Sequence, residues 1–264
     1  MTEYVLNQRG SPDVERARLR LLEEYHDPLT ASQLDAIGLG EGWRCLDAGA
    51  GGGSVTRMLA ERVGSTGSVL AVDLDTSLLE ELVSDRVEVR RLDVLSDPLP
   101  QGAFDLVHAR LLLMFLSPRV AALERLVGAA RVGGWVASIA PDFSTVALSP
   151  TSPAWQRVWS YFFDAAMASG WDPGYGSRLS SDLHAAGLID VHADYITRSC
   201  PGGSLIARLL SLTLERLREG MALLGARTGE IDEARRLLEE PACTVTSPMS
   251  CVARGRRSGT LGSR

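Results

Sequence analysis

From residue 43 onward the chain alternates short apolar runs with segments whose apolar residues recur at helical spacing. The runs cover 44–48, 68–73, 87–92, 104–109 and 135–140; the helical segments cover 54–63, 76–83 and 117–130. Strands joined by long helical crossovers pair in parallel and are buried on both faces, so the alternation predicts a mainly parallel sheet in a doubly wound α/β core. Upstream, Ser11-Pro12-Asp13 supplies a capping hydroxyl, a first-turn proline and an acid for a helix through Tyr25. Asp27-Pro28 repeats that start signal for a second helix to Ile37, and the glycines between 38 and 42 stop it. Two helices are therefore expected as an N-terminal helical cap.

Beyond Pro141 the pattern changes to a helix rich in Trp155, Trp159, Tyr161, Phe162 and Phe163, then a helix over 177–186 and a strand over 189–196. A helical stretch over 204–238 and a last strand around 245–253 follow. The two late strands bring the sheet to seven, and the helices between them form a C-terminal helical lid insertion over its open end. At 264 residues the chain is long for one α/β domain and short for two independent ones. A single domain is expected, with a cap at 1–42, a core at 43–140, lid helices with the sixth strand at 141–241, and the final strand at 242–255.

Charge narrows the partners. A formal net charge of −6 gives no basic stripe for phosphates, which disfavours a nucleic-acid partner. The start Met1-Thr2-Glu3-Tyr4 lacks the basic and apolar regions of a secretory signal, and no run of about 18 apolar residues occurs. No membrane partner and a cytoplasmic location are expected. Cys45, Cys200, Cys243 and Cys251 are scattered without a C-x-x-C pair, so no metal site or disulfide framework is expected.

The most informative segment is Cys45-Leu46-Asp47-Ala48-Gly49-Ala50-Gly51-Gly52-Gly53-Ser54, a strand that ends in a glycine-rich turn and opens a helix. Glycines permit positive φ and remove Cβ atoms, so a ligand can lie on the backbone at the carboxyl end of the sheet. No Gly-Lys-Ser/Thr follows, which excludes an ATP-type phosphate loop. A dinucleotide turn would carry glycine or alanine at the sixth position from Gly49, where this chain has Ser54.

The segment resembles the first motif of class I S-adenosylmethionine-dependent methyltransferases, whose fold is Rossmann-like. The likeness extends over about 43–140, through Phe104-Asp105-Leu106-Val107-His108-Ala109-Arg110 and Arg131-Val132-Gly133-Gly134-Trp135. It implies S-adenosyl-L-methionine as cofactor, S-adenosyl-L-homocysteine as product and a small-molecule acceptor. Asp47 stands where the family's acid holds the methionine ammonium, directly or through water. Gly49, Ala50, Gly51 and Gly53 would form the cradle. Asp73 ends the second strand, where a carboxylate can accept both ribose hydroxyls and would repel a 2′-phosphate. Asp75 is the alternative ribose partner or a helix cap, and Leu74 would pack on the adenine. Asp93 stands where the family accepts a bond from the adenine amino group, with the backbone of Val94 beside a ring nitrogen. Ala109 and Arg110 end the fourth strand; Arg110 would pair with the cofactor carboxylate or an acidic substrate, or be a solvated arginine. Tyr4-Val5-Leu6 and the Arg18-Leu19 helix resemble ubiquinone- and menaquinone-type methylases, in which an N-terminal tyrosine reaches the methionine end; the likeness assigns this to Tyr4.

A sulfonium is already electrophilic, so such an enzyme chiefly aligns the acceptor and excludes water. For a hydroxyl acceptor a base would help, and His108 is the candidate, with a local structural hydrogen bond as its alternative. His26, His184 and His192 are expected to be structural. Compared with the family, Phe115 replaces a frequent histidine and Ala140 a frequent acid, which removes polar groups near the crevice. The aromatic helix and Met167 would suit an apolar or aromatic acceptor or simply form core. The apolar face of Leu209, Leu212, Leu214, Leu217 and Met221 could be lid or homodimer interface. The reading is methyl transfer to O, N or C of a small metabolite in specialised biosynthesis; the alternative keeps the cofactor site for a rearrangement, decarboxylation or cyclisation.

Overall fold

Five of the apolar runs become β1 (Arg44–Ala48), β2 (Ser68–Asp73), β3 (Val87–Arg91), β4 (Phe104–Arg110) and β5 (Ala130–Asp142) in a computed structural model that describes residues 12–259. They pair in parallel in the order β3-β2-β1-β4-β5, with Asp47 of β1 level with Ala71 of β2 and His108 of β4. Two late strands, β7 (Leu188–Ile196) and β10 (Met249–Arg257), extend the sheet beyond β5 in the order β10-β7, which completes seven. The architecture is the expected mixed α/β one with a mostly parallel sheet. The reversal of strand order falls between β1 and β4, which places the carboxyl ends of both at the topological switch point where ligands bind in open α/β sheets.

Contacts divide the chain into two compact units. One holds residues 26–140, 176–195 and 251–259 and contains most of the sheet. In it α2 (Ser54–Arg62) packs Val55, Leu59 and Val63 on Cys45, Val69 and Leu106, with Leu34 and Ile37 from the end of α1 (Pro12–Ile37). Each fully buried leucine or valine of this cluster contributes about 1.5–3 kcal/mol. The crossover helix α3 (Arg119–Ala129) and the helix α5 (Gly176–Ala185) belong to the same unit.

The other unit includes 141–175 and 196–250. It contains α4 (Pro153–Ala168), α6 (Leu205–Arg216), α7 (Arg218–Leu223) and α8 (Thr228–Glu239). It also holds a small antiparallel sheet of β6 (Ala147–Ser149), β8 (Ser199–Pro201) and β9 (Thr244–Thr246) in the order β6-β9-β8, which the hydrophobic pattern does not predict. Along α4 the indole of Trp159 stacks on Trp155 and Phe162 at 4.9 and 4.6 Å, and Trp171 meets both Phe162 and Phe143 edge-on. Trp155, Phe162 and Trp171 are buried, so the aromatic stripe forms the core of this unit.

Three boundaries differ from expectation. The N-terminal helix is one element, Pro12–Ile37, with Pro28 inside it. The proline forfeits one backbone bond, but Asp27, Thr30 and Gln33 make side-chain bonds to distant strands that hold the helix through the defect. The predicted helix over 76–83 reduces to a single 3-10 turn, Glu80–Leu82. There Asp75 takes the Ser77 N–H and Leu79 bonds three residues back to Thr76, while Leu79 is driven fully into the core. The last predicted strand splits at Ser247-Pro248 into β9 and β10, because proline offers no ladder donor and the Ser247 hydroxyl takes the Arg198 N–H instead.

Candidate functional site

β1 ends in the glycine turn, where Gly49, Gly51 and Gly53 have φ of +72°, +56° and +82°. A Cβ on Gly53 would lie 2.4 Å from Leu82 Cδ1, and one on Gly49 3.0 Å from Leu112 Cδ1, so both positions require glycine. The N–H groups of Gly49 and Ala50 both donate to the carbonyl of Val72 at 2.8 and 3.1 Å, which fastens the turn to β2. The helical ladder of α2 begins with Arg57 N–H to Gly53 O at 3.0 Å, so the N–H groups of residues 54–56 have no intrahelical acceptor.

The three strand-end acids are brought to neighbouring tips, β1, β2 and β3, but in different settings. Asp73 is half-buried; its Oδ2 accepts from Gly51 N–H at 2.9 Å and its Oδ1 from Asp75 N–H at 3.1 Å. These two bonds orient the carboxylate against the turn. Asp75 is exposed and accepts from Ser77 N–H at 3.1 Å, and Leu74 is half-buried beside it. Asp93 follows β3 and is turned onto its own loop, accepting from Leu95 N–H at 2.9 Å and from the Ser96 hydroxyl at 3.1 Å. Its own N–H donates to Asp97 at 2.9 Å, and Val94 is buried.

Asp47 is 1% exposed and accepts from the Thr56 hydroxyl of α2 at 2.6 Å. Across the strand pair, His108 is 0% exposed; its Nε2 lies 3.2 Å from Gln33 Oε1 and its Nδ1 3.9 Å from Asp47 Oδ1. The imidazole is thus fully enclosed, with Gln33 and Asp47 beside it. Ala109 is buried and its carbonyl accepts from the Ser138 hydroxyl at 2.6 Å. Tyr4 lies outside the described residues. His184 and His192 are exposed on α5 and β7, and buried His26 gives its carbonyl to the Thr30 hydroxyl at 3.1 Å.

Arg110 is held at the site rather than solvated. Its Nη1 donates to Asp27 Oδ1 at 2.7 Å and to Thr30 Oγ1 at 3.2 Å, and its Nη2 donates to Ser54 Oγ at 2.7 Å. The Ser54 hydroxyl in turn donates to Asp27 Oδ1 at 2.8 Å. The side chain of Arg110 is 11% exposed and keeps its Nε–H and one further N–H for another acceptor. The next residue, Leu111, has φ +57°, a strained value for a non-glycine residue that turns the chain sharply at the strand tip. Sequence reasoning misses Asp27, Thr30, Gln33 and Thr56. Asp27 reads locally as a helix cap, and Ser54 reads only as a departure from the dinucleotide pattern.

Among the described residues no group of three His, Cys, Asp or Glu could hold a metal, and no helix is long and apolar enough to cross a membrane. Burial pushes the Cys45 thiol far above its usual range and that of Cys251 up to about 11, so both are inert thiols.

Residues 46–138 match the family model described as a methyltransferase domain. The chain is 27% identical over 194 residues to methyltransferase str2 of Strobilurus tenacellus, covering 72% of this chain and 69% of that one. It is 27% identical over 218 residues to the nocamycin O-methyltransferase of Saccharothrix syringae, covering 69% and 73%. Residues 46–138 therefore form a methyltransferase domain, and the chain is similar to S-adenosylmethionine-dependent methyltransferases. The methyltransferase also shares its fold with phosphoethanolamine N-methyltransferase 2 of Haemonchus contortus, solved with S-adenosyl-L-methionine, at a TM-score of 0.56 and 17% identity over 88% of this chain and 53% of that one. S-adenosylmethionine is its methyl donor. The matched residues include the glycine turn, the three acids and Arg110, whereas Asp27, Thr30 and Gln33 lie before them. Polar residues of the N-terminal helix, outside the matched segment, thus reach β4.

Proposed function

We propose that this methyltransferase acts on a small, apolar or aromatic metabolite of specialised biosynthesis, at oxygen, nitrogen or carbon. The observation that carries the reading of the site is the Gly51 N–H to Asp73 bond at 2.9 Å, which joins the bare glycine turn to the carboxylate suited to a ribose. The residues fit an adenosyl ligand, since the positive φ angles bare the backbone of the turn and Asp73 stands beside it at the carboxyl end of β2. In this reading Gly49, Ala50, Gly51 and Gly53 cradle the cofactor and Asp73 accepts the ribose hydroxyls. Leu74 packs on the adenine, and Asp93 and Val94 receive its edge. Arg110, with Asp27 and Ser54 fixing its plane, offers its remaining N–H groups to the methionine carboxylate, and Ala109 lines the strand tip beside it. Asp47 acts on the ammonium from beneath the turn, through its field or a water. The cofactor when bound supplies an electrophilic methyl group; the chain orients the acceptor and excludes water. With His108 enclosed, removal of an acceptor proton is not its task in this reading.

The names of the relatives support specialised metabolism, because one acts on nocamycin as an O-methyltransferase. The test is incubation with methyl-labelled S-adenosylmethionine and a panel of hydroxylated aromatic and polyketide-like acceptors. Label in an organic product is expected. Binding of S-adenosylhomocysteine without label transfer to any acceptor would favour the rearrangement, decarboxylation or cyclisation reading. No calorimetric heat with S-adenosylhomocysteine would remove the proposed site.

A further inference from the structure

We infer that Gln33, on the N-terminal helix, is a positioning residue that fixes the tautomer of His108 and thereby keeps Asp47 uncompensated for the cofactor's ammonium group. The inference rests on the role given to Asp47 above.

The amide of Gln33 has only one workable orientation. Its Nε2 faces the carbonyl oxygens of Ala253 at 2.8 Å and Ser138 at 3.3 Å, which only accept, so the two N–H bonds are committed to β10 and β5. Its Oε1 therefore points at His108 Nε2, 3.2 Å away, and can only accept there. The proton of the imidazole must sit on Nε2, and in the neutral ring Nδ1 is left as a bare lone pair. That nitrogen is buried, has no hydrogen-bond partner and lies 3.9 Å from Asp47 Oδ1. Two acceptors thus face each other with no proton between them.

This arrangement has a purpose at a cation site. A ring protonated on Nδ1 would turn to donate to Asp47, satisfy that oxygen and draw down its charge. With Nε2 committed to Gln33, the imidazole donates nothing to Asp47, whose carboxylate accepts from the Thr56 hydroxyl at 2.6 Å. In a water-excluded setting the field of that carboxylate reaches a cation beyond contact distance. Groups facing the pair are Asp47 on β1, Gln33 on α1 and Thr56 on α2; Arg110, two residues along β4, is engaged by Asp27, Thr30 and Ser54.

The test begins with the full-length, unmutated chain. Two-bond 1H–15N spectra of the histidine rings are expected to show His108 neutral and protonated on Nε2; a ring protonated on Nδ1 or on both nitrogens overturns the inference whatever any variant does. Gln33→Met keeps the length of the side chain and removes the acceptor. It is expected to move the proton to Nδ1 and to raise the Kd for S-adenosylhomocysteine, measured by calorimetry, by about tenfold. Asp47→Asn separates the two ideas. If Asp47→Asn leaves Kd unchanged, the role of Asp47 fails; if Asp47→Asn weakens binding while Gln33→Met does not, the role of Gln33 fails alone.

Discussion

A guanidinium that is 89% enclosed cannot be left without partners, and Arg110 finds three: Asp27, Thr30 and Ser54. Two of them come from a helix outside the family-matched residues, so one side chain ties that helix to the glycine turn. Asp27→Ala should lower stability by about 1 kcal/mol, because Asp27 is itself one-third exposed and its pair is partly screened. A differential scanning comparison checks this, and the same variant should loosen S-adenosylhomocysteine if Arg110 receives the carboxylate. Asp73 carries a different duty, since it holds the turn through Gly51 and, in the proposed reading, would accept the ribose hydroxyls. Asp73→Ala should weaken the cofactor by about 1.5–3 kcal/mol, the scale of hydrogen bonds to a charged group. Titration calorimetry reads it directly, and unchanged affinity would shift the ribose role to Asp75.

The glycine turn succeeds as an element because its neighbours are built against the missing Cβ atoms. Leu82 of the 3-10 turn and Leu79 before it occupy the space a Cβ on Gly53 would need. Gly53→Ala would meet Leu82 at 2.4 Å at a φ of +82°. A stability loss of about 1–3 kcal/mol is expected, together with reduced S-adenosylhomocysteine affinity, and denaturant titration with and without ligand separates the two effects. The N-terminal helix shows the converse case. Its local signals favour a break at Asp27-Pro28, yet side-chain bonds to residues far along the chain keep it continuous.

For the whole molecule, Asp105 illustrates how the sheet unit depends on pH. Burial pushes its carboxyl up, but the Arg44 N–H at 2.8 Å and Arg131 Nε at 2.6 Å outweigh it, and the net position is below the ordinary carboxylate range. A carboxyl lowered in the folded state stabilises above its unfolded value, and that contribution is lost as pH falls through the folded one. Asp105→Asn should therefore reduce stability at neutral pH and flatten the acid limb of the stability profile; an identical acid limb would show that the carboxylate contributes nothing there. The group joins the starts of β1, β4 and β5.

The strands from 44 to 140 and the helices after β1 and before β5 are legible in the sequence, because each is set by local periodicity and by which face is apolar; the connection over 76–83 is not. The same holds for the glycine turn and the three acids at strand ends, whose spacing fixes them to neighbouring tips once the sheet is parallel. Contacts between residues far apart are another matter: His108 meets Gln33 across 75 positions and Arg110 meets Asp27 across 83. No local pattern encodes such pairs, and Asp27, Ser54 and Gln33 each have an ordinary local explanation. Only the packed sheet, by enclosing polar groups that must then find partners, decides that these residues converge near the glycine turn and that His108 is enclosed.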